Sequence, residues 1–402
     1  MPSLSSPQFH TTQAASLYKS FRQVAPKHNP APTEQTRSPL EEVVFNVSEG
    51  CNLACSYCFA GMGTYGSPTS RWMTTNTARK AVRFITRRGV PKVVKLFGGE
   101  PFMNMPACSA IVDEFSSLFE QSQIDTTPTY VTVTNMTIWN RRIEAFINNS
   151  KVKVTASIDG PKSIHDLHRT YSNGRGSFTT VDRNIHIMQD MTGEPSALEC
   201  VYTPSHLDAG ISPAYLRDYL SNRYHINDII LVPVIPTDTL PSNEGQSWAQ
   251  TLRQLGEDYS RSIHARTNSG DSNAQLELDS WIQQITIPKR SNYCGMGTSS
   301  LTIDAEGHLT PCYTLIGKEG WTQMQDIDNL SPHLPDELQT RVSRINKDND
   351  RVCSECAIRD CCWGCPGAQV NTSGEIDTAY SSSCEFMIGF IEGLMLEFAR
   401  KD

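Results

Sequence analysis

Three cysteines lie within eight residues in the segment Cys51-Asn-Leu-Ala-Cys55-Ser-Tyr-Cys58. Three thiolates on one short loop can bind three irons of a [4Fe–4S] cluster and leave the fourth iron without a protein ligand. Because a fully ligated cluster normally uses four cysteines, the motif predicts an iron that is reserved for a small molecule. Zinc is the alternative metal, but zinc motifs add a second cysteine pair or a histidine nearby.

A second concentration of cysteines lies near the C-terminus. The chain has 13 cysteines, which is many for a reducing compartment, where disulfides do not form. Five of them fall between residues 353 and 365, a clustering that indicates metal ligands rather than scattered buried thiols. Two others, Cys108 in a predicted helix and Cys200 in a predicted strand, are expected to pack in the core.

The composition excludes several classes of function. The formal net charge of −8 is spread along the 402 residues, whereas a nucleic-acid-binding protein normally presents a basic stripe. No segment is long and apolar enough to span a membrane, and the N-terminus lacks the pattern of a secretory signal. We therefore expect a cytoplasmic protein with no nucleic-acid partner and no membrane association.

The elements that must position the first cysteine motif alternate between strand and helix. The candidate strands are residues 43–47, 92–97, 130–134, 152–158, 197–203 and 228–234. Helical patterns separate them, as in residues 74–89, which begin at threonine and end at glycine. This alternation predicts a parallel sheet with right-handed crossovers, and periodicity leaves both an open sheet and a partial barrel possible.

Composition divides the chain into five predicted segments. The residues before the first strand are rich in Ser, Thr, Pro and Gln, and the last segment is apolar around most of a helix. We predict a flexible tail over 1–40 with room for one short helix near residues 14–24, a strand-and-helix domain over 41–240, a helical bridge over 241–290, a cysteine-rich domain over 291–390 and a C-terminal helix over 385–402.

The first cysteine motif, together with the strand before it, resembles the radical S-adenosylmethionine (SAM) superfamily. That family has an aromatic residue before the third cysteine, where this chain has Tyr57. The resemblance implies an α/β fold with a partial (β/α)6 TIM barrel, and a [4Fe–4S] cluster on Cys51, Cys55 and Cys58. It also implies that SAM binds the free iron and is cleaved to methionine and a 5′-deoxyadenosyl radical.

Further segments at predicted strand ends carry the same resemblance. Gly98-Gly99-Glu100-Pro101 resembles the GGEP motif, whose glycines and glutamate contact the SAM amino group in that family. Ser157-Ile158-Asp159-Gly160 resembles the SxDG segment, which meets the ribose and carboxylate region of SAM. The resemblance also assigns Tyr57, Asn135 and Arg169 to the SAM site.

Other interpretations of these polar residues remain open from the sequence. Asp159 and Arg169 are also compatible with a structural ion pair or a helix cap. We expect His165 and His168 at the surface or at a helix cap rather than in catalysis.

The C-terminal cysteines resemble the SPASM domain of radical SAM peptide-modifying enzymes, which holds two auxiliary [4Fe–4S] clusters. In that family one cysteine is separated by five residues from the second cysteine of the segment and by three residues from the last. Here Cys362 has the first spacing, from Cys356, and Cys361 has the second, to Cys365, so no single residue has both. The resemblance implies auxiliary cluster II on Cys353, Cys356, Cys362 and Cys384, and auxiliary cluster I on Cys294, Cys312, Cys365 and Cys361. Alternatively, one of the adjacent pair is a bystander, and cluster I keeps an open iron.

SPASM-bearing enzymes most often act on peptides, and this chain most resembles maturases of ribosomally synthesised peptides (RiPPs). The implied reaction is hydrogen abstraction from a precursor peptide, with a thioether or another cross-link as the expected product. Backbone excision and epimerisation are alternatives. A sulfatase-type formylglycine-generating enzyme is disfavoured, because Tyr313 stands where those relatives have an aspartate that acts as a catalytic base. A non-enzymatic Fe–S electron-transfer protein would not explain the GGEP and SxDG segments.

The resemblance implies three [4Fe–4S] clusters and SAM as cofactors. The implied partners are the precursor peptide and a reductant such as flavodoxin or ferredoxin. Because residues 1–40 resemble a linker, we expect the leader peptide to be recognised by a separate small leader-peptide-binding protein or by the surface of the two domains.

Overall fold

A computed structural model describes residues 8–24, 39–234, 245–286, 291–322, 327, 331–362, 364–368 and 382–400. Its centre is a nine-stranded sheet. The strands are β1 (Glu42–Glu49), β2 (Arg71–Trp72), β3 (Val93–Gly98), β4 (Thr129–Thr134), β5 (Lys153–Ser157), β6 (Ala197–Tyr202), β7 (Asp228–Pro233), β8 (Ser300–Ile303) and β9 (Leu309–Thr310).

Twelve α-helices have both of their ends within the described ranges. They are α1 (Thr12–Val24), α2 (Thr75–Thr86), α3 (Met105–Glu120), α4 (Arg141–Ser150), α5 (Lys162–His168), α6 (Phe178–Thr192), α7 (Pro204–Asp208), α8 (Pro213–Tyr224), α9 (Gly245–Asn268), α10 (Ser272–Thr286), α11 (Asp336–Ser343) and α12 (Ser382–Ala399). None of these helices is both long and apolar enough to cross a membrane.

The six strands predicted from the sequence are β1 and β3 to β7. They pair in parallel in chain order from β1 to β7, and helices follow them. Doubly wound open sheets instead reverse their strand order at a switch point, so the unbroken order is typical of a barrel wall. The predicted α/β fold class, with a partial barrel followed by a cysteine-rich domain, is confirmed.

Local sequence explains how the helices begin and which face they bury. The Thr74 hydroxyl accepts a hydrogen bond from the Thr77 N–H at 3.0 Å and so caps the first turn of α2. Ala78, Val82 and Ile85 recur on one face of α2 and are buried in the core between helices and sheet. The sheet is thereby covered on its outer side.

The cysteine-rich region contributes a strand to the barrel sheet. β8 pairs in parallel with β1, on the edge opposite β3, and turns back through the antiparallel strand β9. The buried Glu49 carboxylate at the end of β1 accepts a hydrogen bond from the Ala305 N–H at 3.1 Å. The sequence did not predict this connection.

The segment predicted as a flexible tail contains a packed helix. Ala14 and Tyr18 of α1 are buried in a second apolar cluster that also includes Ile263 of α9 and Ile391 of α12. A short helix near residues 14–24 agrees with the sequence, whereas its packing against α12 was not predicted. Residues 1–7 and 25–38 of that predicted tail lie outside the described residues.

Candidate functional site

The loop that carries Cys51, Cys55 and Cys58 follows β1 and is fixed by backbone hydrogen bonds. The Ala54 N–H donates to the Thr170 carbonyl at 2.7 Å, and the Ser56 N–H donates to the His168 carbonyl at 3.1 Å. These bonds tie the cysteine loop to the chain after α5, so the loop geometry is set by two separate segments.

Burial favours the protonated form of two thiols of this loop. Burial raises the pKa of Cys51 to about 12 and that of Cys55 to about 11. Because cluster ligands must be deprotonated, loading the site releases protons. The Asn135 amide nitrogen lies 3.5 Å from the Cys51 sulfur and donates a hydrogen bond to it.

A cavity of about 440 Å³ opens beside the loop, at the carboxyl ends of the barrel strands. Most of the predicted site residues line it: Cys51, Cys55, Tyr57, Cys58, Gly98, Gly99, Asn135, Ser157 and Arg169. Three thiols facing a cavity of this size fit a cluster that leaves one iron for a small molecule. Glu100 and Asp159 do not line the cavity and are fully buried behind its wall.

Gly98 and Gly99 bring the end of β3 against the backbone that leads into Cys51. The Gly99 N–H donates to the Ser48 carbonyl at 2.8 Å. A Cβ on Gly99 would overlap the Gly50 carbonyl oxygen, and Gly98 has a φ of +144°, which side chains disfavour. The two glycines therefore permit a close approach that fixes the cysteine loop.

The Glu100 carboxylate connects the end of β3 to the end of β4. Its oxygens accept hydrogen bonds from the Phe102 N–H at 3.0 Å, the Thr134 hydroxyl at 2.8 Å and the Asn135 N–H at 2.7 Å. Burial raises the pKa of Glu100 to about 7. Because both oxygens have partners within the chain, Glu100 positions Asn135, and its predicted contact with SAM stays a prediction.

Asp159 and Arg169 form a buried ion pair that the half-buried Tyr57 of the cysteine loop contacts. The Arg169 Nε lies 3.0 Å from an Asp159 oxygen, an ion pair without the alignment of a hydrogen bond. The Tyr57 hydroxyl donates to the same oxygen, and the Val201 N–H donates to the other at 3.1 Å. Burial alone would raise the pKa of Asp159, but the charge of Arg169 together with the hydrogen bonds from Tyr57 and Val201 holds this pKa below its ordinary value. The structural ion pair, left open by the sequence, is therefore present.

Three histidines around this group were misjudged or missed. Of the two locations expected for His165 and His168, the surface is wrong, because both are buried. Both lie in the last turn of α5, and His206 is buried as well. The His168 Nδ1 and the Ser56 hydroxyl share a hydrogen bond of 2.8 Å. The His206 Nε2–H donates a hydrogen bond to the Asp159 carbonyl at 2.8 Å. Burial lowers the pKa of all three, so they are neutral at pH 7.

The C-terminal cysteines fall into two groups. Burial raises the pKa of Cys294 and Cys312, and the neighbouring Cys365 thiol raises both further, which places these three together. The Cys384 thiol acts in the same way on a second group, whose other members are Cys353, Cys356 and Cys362. Both groups match the predicted sets apart from Cys361.

Cys361 does not join the group to which it was assigned. Its sulfur lies 3.3 Å from the Tyr18 hydroxyl of α1, and its side chain is buried in the second apolar cluster. Its neighbouring thiols are those of Cys356 and Cys362 rather than those of the Cys294 group. Adjacent side chains point in different directions, which suggested that Cys361 and Cys362 bind different clusters. In the structure the Cys361 side chain points toward α1 instead.

Lys347 is a functional candidate that the sequence did not reveal. Its side chain is 1% exposed, and its Nζ donates to the carbonyls of Arg359 and Cys362 at 2.8 and 2.6 Å. A lone lysine in a polar segment gives no signal of burial. The ammonium holds the loop that carries Cys353 to Cys362.

One cavity reaches both cysteine regions. The space lined by Cys51 and Cys58 is also lined by Cys365 and Cys384, and by Tyr313 between them. Cys108 and Cys200 are fully buried in the core instead, as predicted.

Comparisons with known proteins identify the domain that carries the first site. Residues 45–209 match the family model of the radical SAM superfamily. A cysteine-type anaerobic sulfatase-maturating enzyme of Clostridium perfringens (strain 13 / Type A) is 22% identical over 348 residues, covering 81% of this chain and 86% of that protein.

Two solved structures share the fold. Native anSMEcpe with bound AdoMet superimposes with a TM-score of 0.71 at 16% identity, over 90% of this chain and 100% of the other. Streptococcus suis SuiB bound to precursor peptide SuiA gives a TM-score of 0.57 at 15% identity, over 87% and 77%. Residues 45–209 are therefore a radical SAM domain.

Proposed function

We propose that this radical SAM enzyme is a maturase that modifies a ribosomally made precursor peptide, with a thioether or another cross-link as the product. The observation that carries the proposal is the shared cavity, which is lined by Cys51 and Cys58 on one side and by Cys365 and Cys384 on the other. A substrate in this cavity would contact both cysteine regions. The similar fold of SuiB, solved with a precursor peptide, supports a peptide as the substrate.

The first site binds and orients the cofactors. When bound on Cys51, Cys55 and Cys58, the [4Fe–4S] cluster supplies the reductive cleavage of SAM that yields methionine and a 5′-deoxyadenosyl radical. Asn135 stabilises the Cys51 thiolate through its hydrogen bond to the sulfur. Tyr57 and Arg169 present a rigid wall to the cavity because Asp159 fixes both of them.

The cavity wall limits access of water to the reacting atoms. Val133, Val201 and Val232 project into it from three strands. An apolar wall excludes solvent that would otherwise quench a reactive intermediate. This wall suits abstraction of hydrogen from carbon.

Two auxiliary clusters belong to the same proposal. Cys353, Cys356, Cys362 and Cys384 would hold auxiliary cluster II. Cys294, Cys312 and Cys365 would hold auxiliary cluster I with one iron lacking a cysteine ligand, because Cys361 packs against α1. An auxiliary cluster beside the cavity would accept an electron from the substrate while a new bond forms.

Formylglycine formation is the second candidate, favoured by the sulfatase-maturating relative, which matches over most of its length. That reaction needs a base, for which an aspartate with a pKa near 3.9 is suited and a tyrosine with a pKa of about 10 is not. Tyr313 lines the cavity, and its ring centroid lies 4.6 Å from that of Phe97. Peptide cross-linking therefore remains the better account, with excision and epimerisation as further alternatives.

The test begins with SAM cleavage. The anaerobically reconstituted protein, given SAM and dithionite, should form 5′-deoxyadenosine, and Cys58→Ala should abolish this. Failure of the wild-type protein to cleave SAM would support a non-enzymatic Fe–S protein and refute the proposal.

The second step identifies the product. A short open reading frame beside the gene should be co-expressed with the enzyme and its peptide analysed by mass spectrometry. Loss of hydrogens within an intact peptide supports a cross-link. Formylglycine, a shortened backbone or an unchanged mass with one inverted residue would each identify the corresponding alternative. Cys365→Ala should retain SAM cleavage and lose the product.

A further inference from the structure

The inner face of the barrel carries two charged side chains between the two cysteine regions. Side chains alternate along a strand, so Lys95 and Phe97 of β3 line the cavity while Leu96 packs behind them. In the same way, Glu199 of β6 lines the cavity while Cys200 is buried behind it. Neither charged residue belongs to the predicted SAM site.

Lys95 lies beside Tyr313 rather than beside the SAM motifs. Its Nζ is 5.1 Å from the Phe97 ring centroid and 5.5 Å from that of Tyr313. Lys95 precedes Gly98 by three positions, which at the rise of a strand places it about 10 Å farther from the strand end. The ammonium is thus held by aromatic rings at the side of the cavity nearest Cys312.

Neither charge is neutralised within the part of the chain that the structure describes. Of the three charged side chains that line the cavity, Arg169 is paired with Asp159. Lys95 and Glu199 form no ion pair in the described ranges, either with each other or with another residue. Both are half-buried beside valines such as Val201, and a charge in such surroundings attracts an opposite charge on a ligand more strongly than a charge in bulk water does.

We propose that Lys95 and Glu199 select the substrate of this cavity, a peptide segment that carries one acidic and one basic side chain. Lys95 binds the carboxylate, and Glu199 binds the ammonium or guanidinium group. A mostly apolar site with a few placed charges fixes the orientation of its ligand in this way. The inference rests on the proposed function and names the chemistry of its peptide.

Four pools of acetylated hexapeptides test this inference. Each pool has Asp or Asn at one position and Lys or Gln at another, with the other positions randomised over Gly, Ala, Ser, Val and Cys. Reconstituted enzyme with SAM is incubated anaerobically with each pool, and both bound peptide and 5′-deoxyadenosine are measured. The pool with Asp and Lys should be preferred over that with Asn and Gln by roughly tenfold to hundredfold.

Variants assign each half of the preference. Lys95→Met should lose the preference for Asp and keep that for Lys, Glu199→Gln should do the reverse, and Lys95→Glu should disfavour Asp. Lys95→Arg, which keeps the charge, should retain the preference and guards against a folding defect. Lys162→Met is the matched control, because Lys162 is a surface lysine with a 61% exposed side chain.

The outcomes separate the inference from the proposed function. Peptides that bind and stimulate SAM cleavage without regard to charge overturn the inference and leave the maturase proposal standing. No stimulation and no binding by any pool also overturns the inference, whereas the maturase proposal falls only with the failure of SAM cleavage or of modification of the co-expressed precursor. A loss of SAM affinity in Lys95→Met without peptide would assign Lys95 to the SAM carboxylate and overturn the inference as well.

Discussion

Removing Arg169 tests whether the buried ion pair holds the site together. Arg169→Met leaves the fully buried Asp159 carboxylate with only the Tyr57 hydroxyl and the Val201 N–H as donors. Breaking a buried pair by removal of one partner costs about 3–5 kcal/mol, because an uncompensated charge stays buried. For a domain of this size that corresponds to a fall in midpoint temperature of about 6–20 °C.

The assay is thermal unfolding of the cluster-free protein in reducing buffer, followed by circular dichroism at pH 7. Lys162→Met is the control, because Lys162 pairs with Asp166 at the surface and such pairs contribute about 0–1 kcal/mol. The double variant Asp159→Asn/Arg169→Met removes both charges and should regain part of the lost stability.

Two results would refute this reasoning. One is an Arg169→Met variant as stable as the control. The other is a double variant no more stable than Arg169→Met alone. Either result would mean that Arg169 is kept for a ligand in the cavity and that Asp159 does not depend on it.

Four further predictions concern the cysteine loops and their supports. Cys361→Ala should leave the iron content and the auxiliary-cluster spectra unchanged, whereas Cys362→Ala should lower the iron content, since the Cys361 sulfur contacts Tyr18 of α1 while the Cys362 thiol neighbours that of Cys384; equal losses would contradict this. Gly99→Ala should lower stability by about 1–3 kcal/mol and impair iron loading, because its Cβ would overlap the Gly50 carbonyl; normal loading in iron and sulfide assays would contradict it. Lys347→Met should shift the reduction potential of auxiliary cluster II to more negative values in an EPR titration, because a buried cation is lost; an unchanged potential would show that its charge is not felt there. Burial raises the pKa of Glu100 to about 7 from the ordinary 4.5, so the stability that its protonation contributes is full below pH 4.5 and is lost as the pH rises through 7, by about 3 kcal/mol. Glu100→Gln should flatten this part of the plot of unfolding free energy against pH, measured by urea unfolding. An unchanged slope would contradict the assignment.

The barrel was predictable because each of its strands has a local signature. Apolar segments such as residues 43–47 and 92–97 are followed by helical patterns, and repetition of this unit admits few topologies. The cysteine motif and the glycines of residues 98–99 were visible for the same reason, since their spacing is local.

What could not be predicted depends on contacts between distant segments. His168 looks like a polar residue at the end of a short helix, and its burial follows only once Ser56 and Ser205 flank it. The burial of Lys347 cannot be predicted locally, because it depends on the loop ending at Cys362, whose carbonyl accepts a hydrogen bond from the Lys347 Nζ. Cys361 and Cys362 are equivalent in the sequence, and the contact between the Cys361 sulfur and Tyr18 of α1 distinguishes them.

The pairing of β8 with β1 has a consequence for how the protein is made. β1 is translated early, but the edge of residues 42–45 that β8 covers stays open until β8 emerges, and the Ala305 N–H that binds Glu49 lies 256 residues farther along the chain. During synthesis at the ribosome the barrel therefore passes through a stage with an exposed strand edge, which is prone to pairing with other chains. A fragment that ends at residue 290 would keep that edge permanently, so we expect it to aggregate although it contains the whole radical SAM domain.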